Sequence, residues 1–206
     1  MNPFWNFKIE GRELIDPNKT YVMVSNHQSY FDIFAVFGLF TFFKWVSQEQ
    51  IFKIPFVGWN MYLNQYVKVV RGNLSSIKQM LKDCRAWLDR GVSIMLFPEG
   101  TRSETGEMGP FRDGAFRLAI EAGVPILPIV IDGTFEVLPK GRNILNFTTP
   151  IRLKVLPPVD SRPFSKNAIG LRDHVRSLIE KELQEMRSEG ATKERRSVTS
   201  DAGQET

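Results

Sequence analysis

The stretch Asn26-His27-Gln28-Ser29-Tyr30-Phe31-Asp32 holds an imidazole and a carboxylate five positions apart. It follows a short apolar run at 21–24 and precedes a longer one at 33–43. At a strand-to-helix junction, this spacing lets Asp32 orient His27 as a general base. The same residues carry a second reading. Ser29 and Asp32 fit a capping box, with Ser29 at the N-cap and the carboxylate folded back on it. His27 would then be a turn residue and Asp32 a complement to the helix dipole.

A second cluster, Phe97-Pro98-Glu99-Gly100-Thr101-Arg102-Ser103, follows the apolar run 92–97. Gly100 lets backbone approach a ligand closely. Thr101 and Arg102 offer donors suited to phosphate oxygens, and arginine can bind them bidentately. Glu99 can hold Arg102 or a neighbouring backbone amide; equally, the segment can be a polar loop with an internal salt bridge. Arg71 ends a third strand-like run, 66–70, and joins the others only if it points to the same mouth of the sheet as Arg102. Of the two histidines, His174 lies among charged residues and reads as solvated, which leaves His27 as the candidate base.

These residues need elements to place them. Residues 4–9 and 21–25 read as strands separated by turn chemistry at Asp16-Pro17-Asn18. Residues 33–43, with five phenylalanines and no charge, read as a helix apolar almost all round. Such a helix is either buried or leaves one face to a membrane or an acyl chain. A short strand is expected at 44–46, a loop at 54–58, and an amphipathic helix through Leu74, Ile77, Leu81, Cys84 and Leu88, stopped by Gly91. The run 92–97 suits a strand buried on both faces. A helix at 111–122, strands at 126–131 and 151–155, and an amphipathic helix at 165–186 complete the pattern. Residues 1–186 form one domain in this reading, and the polar tail 187–206 is expected to be disordered. Strands alternating with helices indicate an α/β domain with a partly parallel sheet. Its functional residues gather at the carboxyl ends of strands, where both polar clusters fall.

Composition narrows the partners. The 206 residues carry a net charge of +4, and the tail's four basic and four acidic residues cancel, so the excess lies in the body. A modestly basic body suits phosphorylated substrates or an acidic membrane face and falls short of a nucleic-acid binder. One cysteine, Cys84, excludes an internal disulfide framework and reads as a small core residue. The longest apolar run has 11 residues, against about 20 for a membrane span. Residues 1–16 lack the apolar stretch of a signal peptide, and an anchor upstream stays open.

Taken in order, the blocks resemble the glycerolipid acyltransferases of the 1-acylglycerol-3-phosphate acyltransferase (PlsC-like) type. The resemblance rests on Asn26-His27-x-Ser29-x-x-Asp32, Ile54-Pro55-Phe56-x-Gly58 leading to Arg71, and the 97–103 cluster. Phe111 with Gly114-Ala115, and Val124-Pro125-Ile126-Leu127-Pro128, follow. It covers roughly residues 6–160. It implies a single α/β domain with a central mixed, largely parallel sheet flanked by helices. It also implies transfer of a fatty acyl group from acyl-CoA or acyl-carrier protein to the free hydroxyl of a lysophospholipid, 1-acyl-sn-glycerol-3-phosphate foremost. His27 would be the base and Asp32 its partner. Glu99, Gly100, Thr101 and Arg102 would bind the acceptor's phosphate with help from Arg71, and Val124-Pro125 would shape the acyl site. No cofactor or metal is implied, and the expected location is the cytoplasmic face of a membrane, peripheral or monotopic. One departure stands out: members commonly carry a lysine where this chain has Gln48.

The chemistry is consistent with that expectation. A hydroxyl attacking a thioester must lose its proton, which a neutral histidine accepts near neutral pH. The substrate hydroxyl replaces a protein nucleophile, and no G-x-S-x-G elbow is present. Two other readings compete: a thioester hydrolase in which His27 activates water, and a non-catalytic membrane module using the phenylalanine-rich segment.

Overall fold

Alternate residues of the second strand enter opposite cores: Val22 and Val24 pack into one, Tyr21 and Met23 into the other. That division organises the molecule, which is described by a computed structural model over residues 7–141, 145–146 and 148–201, those from 191 on by backbone alone. The described strands are β1 (Phe7–Glu10), β2 (Val22–Ser25), β3 (Phe43–Gln48), β4 (Val67–Val69), β5 (Ser93–Leu96), β6 (Ile126–Asp132) and β7 (Ile151–Val155). The helices are α1 (Phe31–Phe37), α2 (Val57–Leu63), α3 (Leu74–Leu88), α4 (Gly114–Ala122), α5 (Thr134–Val137) and α6 (Ala168–Asp201).

The strands form one seven-stranded sheet in the order β1-β7-β6-β2-β5-β3-β4. Every neighbouring pair is parallel except β6 with β7. The sheet is therefore mixed and largely parallel, as expected. β2 and β6 are buried along their whole length because helices cover both faces. α3, α4 and α6 pack over Val22, Val24, Ile94, Ile126 and Val130. α1 lies on the other face, over Met23, Met95 and Ile129, where Val137 of α5 joins it. Cys84 is fully buried in the first core, as its apolar setting suggested.

Three expectations change. The apolar run 33–43 is not one helix: α1 ends at Phe37, the chain turns through Gly38 and Phe40 (φ 50°), and Phe43 opens β3. The reason is that apolarity alone does not set a period, and a short buried strand and a buried helix read alike. Burial and exposure both occur within it. Ala35, Val36 and Leu39 are buried, whereas Phe34, Phe40 and Phe42 are 60, 82 and 69 % exposed.

The loop expected at 54–58 is the entrance to α2. Gly58 is required there because a Cβ would run into the Phe52 carbonyl oxygen.

The polar tail expected from 187 continues α6 instead, as far as Asp201; residues 202–206 lie outside the described residues. Arg187, which composition assigned to the tail, is a tether. Its guanidinium donates to the Gly106 carbonyl (2.6 Å) and pairs with Glu107 (3.0 Å) and Asp132 (3.3 Å). Charge-assisted hydrogen bonds of this sort contribute about 1.5–3 kcal/mol when sheltered and less when exposed. Arg187→Ala is expected to lower stability by about 1–2 kcal/mol, read from urea unfolding midpoints.

Candidate active site

The register of β2 on β5 sets the site. Val22, Met23 and Val24 face Ile94, Met95 and Leu96, an offset of 72 residues. Carried past the strand ends, the same offset brings His27 level with Glu99, and there Glu99 Oε1 accepts from the His27 backbone N–H at 2.7 Å. The Ser103 N–H donates to the His27 carbonyl at 2.8 Å. The 97–103 loop thus grips the histidine main chain on both sides. Asn26 secures the other edge: its side-chain amide donates to the Ile131 carbonyl (2.7 Å) and accepts from the Ile131 N–H (2.9 Å). In this way it extends the ladder between β2 and β6 beyond the last residue of β2.

The imidazole is fixed as firmly. His27 Nδ1 lies 2.7 Å from Asp32 Oδ2. That oxygen also accepts from the backbone N–H groups of Gln28 (2.7 Å) and Ser29 (2.9 Å), while Oδ1 accepts from the Thr134 hydroxyl (2.5 Å). Asp32 is completely buried, and each contact it makes is to a donor group. A neutral imidazole that donates from Nδ1 to this acceptor leaves its Nε2 lone pair free. Among the described residues no group hydrogen-bonds Nε2. Phe97 stacks flat on the ring, with centroids 3.8 Å apart and planes within 5°.

The two opening readings of residues 26–32 are therefore compatible. The cap falls one residue later than expected, at Tyr30, with no side-chain cap bond. Ser29 Oγ accepts from the Phe31 N–H at 3.2 Å, and Asp32 folds back on the Ser29 amide, which is the carboxylate half of a capping box. The same carboxylate oxygen holds the imidazole.

Glu99 takes the backbone-holding role rather than the Arg102 salt bridge. Its second oxygen accepts from the Gly109 N–H at 2.8 Å. Burial pushes its carboxyl up to about 7 against the downward pull of those two amides. Arg102 instead lies over the Tyr30 ring, 3.6 Å from the centroid. Arg71 does point to the same mouth, donating to the Gly100 carbonyl. The Gln48 amide, oriented to satisfy both groups, accepts from Arg71 Nε at 2.8 Å. Gly100 sits at φ 70°, and a Cβ there would come within 3.1 Å of Arg112 Nε. Burial, followed by the nearby charges of Arg112 and Arg102, lowers the Arg71 pKa. Thr101 is exposed, with only a long contact, 3.5 Å, from its hydroxyl to the Arg102 carbonyl.

Sequence reasoning missed three participants. Thr134 supports Asp32 from 102 residues away, a contact no local pattern encodes. Phe97 was read as the end of a strand, not as the face on which His27 rests. Arg112 follows the buried Phe111 and has no motif partner in sequence, although the basic charge beside the Gly114-Ala115 block was a signal. One expected participant is remote. Pro125 accepts from the Val22 N–H, and Ile126 pairs with Val22, so Val124-Pro125 lies at the amino end of the strands. That is five residues, about 16 Å, below His27.

Comparison with known proteins identifies the family. The Acyltransferase family profile matches residues 6–132. A 1-acyl-sn-glycerol-3-phosphate acyltransferase of Chlamydomonas reinhardtii is 38 % identical over 185 residues, covering 88 % of this chain and 54 % of that protein. One from Salmonella typhimurium is 30 % identical, covering 93 % of this chain and 79 % of that protein. The chain spans about half the length of several curated relatives it matches. The crystal structure of the 1-acyl-sn-glycerophosphate acyltransferase PlsC from Thermotoga maritima superposes with a TM-score of 0.77 at 32 % identity, covering 89 % of this chain and 73 % of that one.

The Glu99 grip has a signed pH consequence. Glu99 binds its proton more tightly in the folded protein, near 7, than at the ordinary 4.5. Its contribution to stability is fully present below about 4.5 and is lost as pH rises through 7, by up to about 3 kcal/mol. Glu99→Gln removes that dependence. The stability difference, wild type minus variant, is expected to fall between pH 5 and 8 in urea titrations; a rising difference would contradict the assignment.

Proposed function

The chain belongs to the acyltransferase family, and on that footing we propose that it transfers a fatty acyl group from acyl-CoA or acyl-carrier protein to the free hydroxyl of 1-acyl-sn-glycerol-3-phosphate, giving phosphatidate. The observation that carries this reading is a fixed His27–Asp32 pair, with Nε2 unclaimed, beside a mouth lined by Arg71 and Arg102.

In the proposed reaction the acceptor's phosphate sits against Arg71, Arg102 and the polar groups of Gly100 and Thr101, with Glu99 supporting the loop from behind. The hydroxyl then lies at Nε2. As it attacks the thioester carbonyl, Nε2 takes its proton, and Asp32 stabilises the imidazolium that forms. The new carbon–oxygen bond closes a tetrahedral intermediate. Its collapse breaks the carbon–sulfur bond, and the imidazolium returns the proton to the leaving thiolate. No acyl-enzyme is needed, so most of the remaining acceleration comes from holding donor and acceptor in line.

The acceptor is a membrane lipid in this reading, and the surface agrees. No helix among the described residues is long and apolar enough to cross a membrane. Yet Phe34, Phe40 and Phe42 on and after α1, and Phe56, Trp59 and Leu63 on and around α2, are each at least 60 % exposed. Arg12 lies over the Phe40 ring and Lys44 over that of Phe42. Aromatic side chains with cations at hand suit the boundary between lipid head groups and acyl chains. We infer peripheral attachment to a membrane face through these residues.

Two experiments test the proposal. With radiolabelled oleoyl-CoA and a panel of lysolipids, label should enter phosphatidate when lysophosphatidate is supplied. His27→Ala should lower that rate by about 10²–10⁴-fold without loss of the folded state by circular dichroism. Full activity in the variant, or release of free oleate without an acceptor as the main outcome, would overturn the proposal. For the membrane face, the double variant Phe40→Ser, Trp59→Ser should bind anionic vesicles at least about tenfold more weakly in sedimentation assays, since each ring buried in lipid is worth roughly 1.5–3 kcal/mol.

A further inference from the structure

Arg112 enters no known motif of this chain, yet it stands at the same glycine as the other two site arginines. Its Nε lies against Gly100, where a Cβ would sit 3.1 Å away. The carbonyl of that glycine takes the Arg71 guanidinium, and Arg102 is two residues further on. The Arg112 backbone N–H donates to the Pro98 carbonyl at 2.9 Å, which pins its main chain to the same loop.

What makes the group unusual is its lack of counter-charge. Among the described residues, neither Arg71, Arg102 nor Arg112 is in an ion pair with a carboxylate, although most of the other arginines around them are: Arg85, Arg117, Arg152, Arg172, Arg176 and Arg187 all have acidic partners. The partners that are present are neutral or π-electron groups. Arg71 is held by a carbonyl and the Gln48 amide, and Arg102 by the Tyr30 ring. Glu99, on the same loop as Arg102, spends both carboxylate oxygens on backbone amides. Three guanidiniums held together without neutralisation repel one another, and the repulsion is relieved only by an anion of matching charge. A phosphate monoester carries about −1.5 to −2 at pH 7 and three strong acceptor oxygens, whereas a phosphodiester carries −1.

We propose that Arg112 is a specificity-determining residue, the third member of a guanidinium cradle that selects a phosphomonoester head group over a phosphodiester one. The inference rests on the acyl-transfer reading above and deepens it. Arg71 and Arg102 bind phosphate of either kind, and Arg112 supplies the charge that only the dianion repays in full. Gln48 has a part in this: as a neutral acceptor it orients Arg71 without neutralising it, which an acidic residue in its place would do.

The test is steady-state kinetics with wild type, Arg112→Gln and Arg112→Lys, using lysophosphatidate and, as phosphodiester acceptors, lysophosphatidylglycerol and lysophosphatidylethanolamine. Loss of one charge-assisted contact is expected to raise KM for lysophosphatidate about tenfold to a hundredfold in Arg112→Gln, with a much smaller change in kcat and none in KM for oleoyl-CoA. Arg112→Lys should recover part of the loss. The ratio of monoester to diester kcat/KM should fall by a similar factor. Arg117→Gln, which removes an equal charge from α4 at a site paired with Asp113, should leave KM unchanged.

An unaltered KM and an unaltered acceptor ratio in a folded Arg112→Gln, or an equal effect in Arg117→Gln, would overturn the role of Arg112 while wild-type transfer to lysophosphatidate stood. A wild-type enzyme that acylates none of the three acceptors would overturn the acyl-transfer reading itself, and the cradle with it.

Discussion

Everything at this site depends on two hydrogen bonds to one residue's main chain: Glu99 accepting from the His27 N–H and Ser103 donating to its carbonyl. They join the ends of two parallel strands whose register has already brought residues 27 and 99 to the same level. The proposed role of His27 as a base requires its lone pair to be closely placed against the proton it takes. The main chain is held by backbone contacts, so the side chain has only its ring rotation left to settle. Asp32 and the face of Phe97 settle that. The hydroxyl of Thr134 and two backbone amides then hold Asp32 itself.

Two electrostatic environments stand side by side as a result. Behind the histidine lie two buried carboxylates, Asp32 and Glu99, that accept from N–H and O–H donors. In front lies a cationic mouth whose three arginines have no carboxylate partner among the described residues. The segregation has a physical use. If Glu99 paired with Arg102, the loop would be neutral and the arginine unavailable to an anion. Because Glu99 faces inward, one loop can both grip His27 and present positive charge to a ligand. The cost is a carboxyl whose proton is held near neutrality, a strain on the charged form that the two amides only partly relieve.

Much of this was legible in the sequence. The apolar runs at 22–25, 93–96 and 126–132 have the length of strands in a sheet covered on both faces, and the two polar clusters fall at the carboxyl ends of the first two, where sites gather in such sheets. His27, Asp32, Arg71 and Arg102 are gathered as the motif order suggested. The rest was hidden for identifiable reasons. The phenylalanine-rich stretch after Asp32 has no period to separate the end of α1 from the start of β3. Thr134 and Arg112 reach the site through tertiary contacts that no spacing encodes. Val124-Pro125 falls at the amino end of β6, away from His27, since proximity in a motif list says nothing of which end of a strand a residue occupies. The polar composition after residue 186 was read as disorder, but the Arg187 contacts and the continued helix show how little composition says once a helix is already docked.

The most direct measurement of the central claim is the tautomer of His27, read by NMR from the ring nitrogens of protein labelled with nitrogen-15 in histidine, above the pH at which the ring becomes neutral. His174 is distinguished by its substitution. The geometry described here predicts a proton on Nδ1, donated to Asp32, and a bare Nε2 facing the arginine-lined mouth. In Asp32→Asn that preference should weaken or reverse. A neutral His27 protonated at Nε2 in the wild-type protein would leave no base where the acceptor hydroxyl must lie, and would contradict the account.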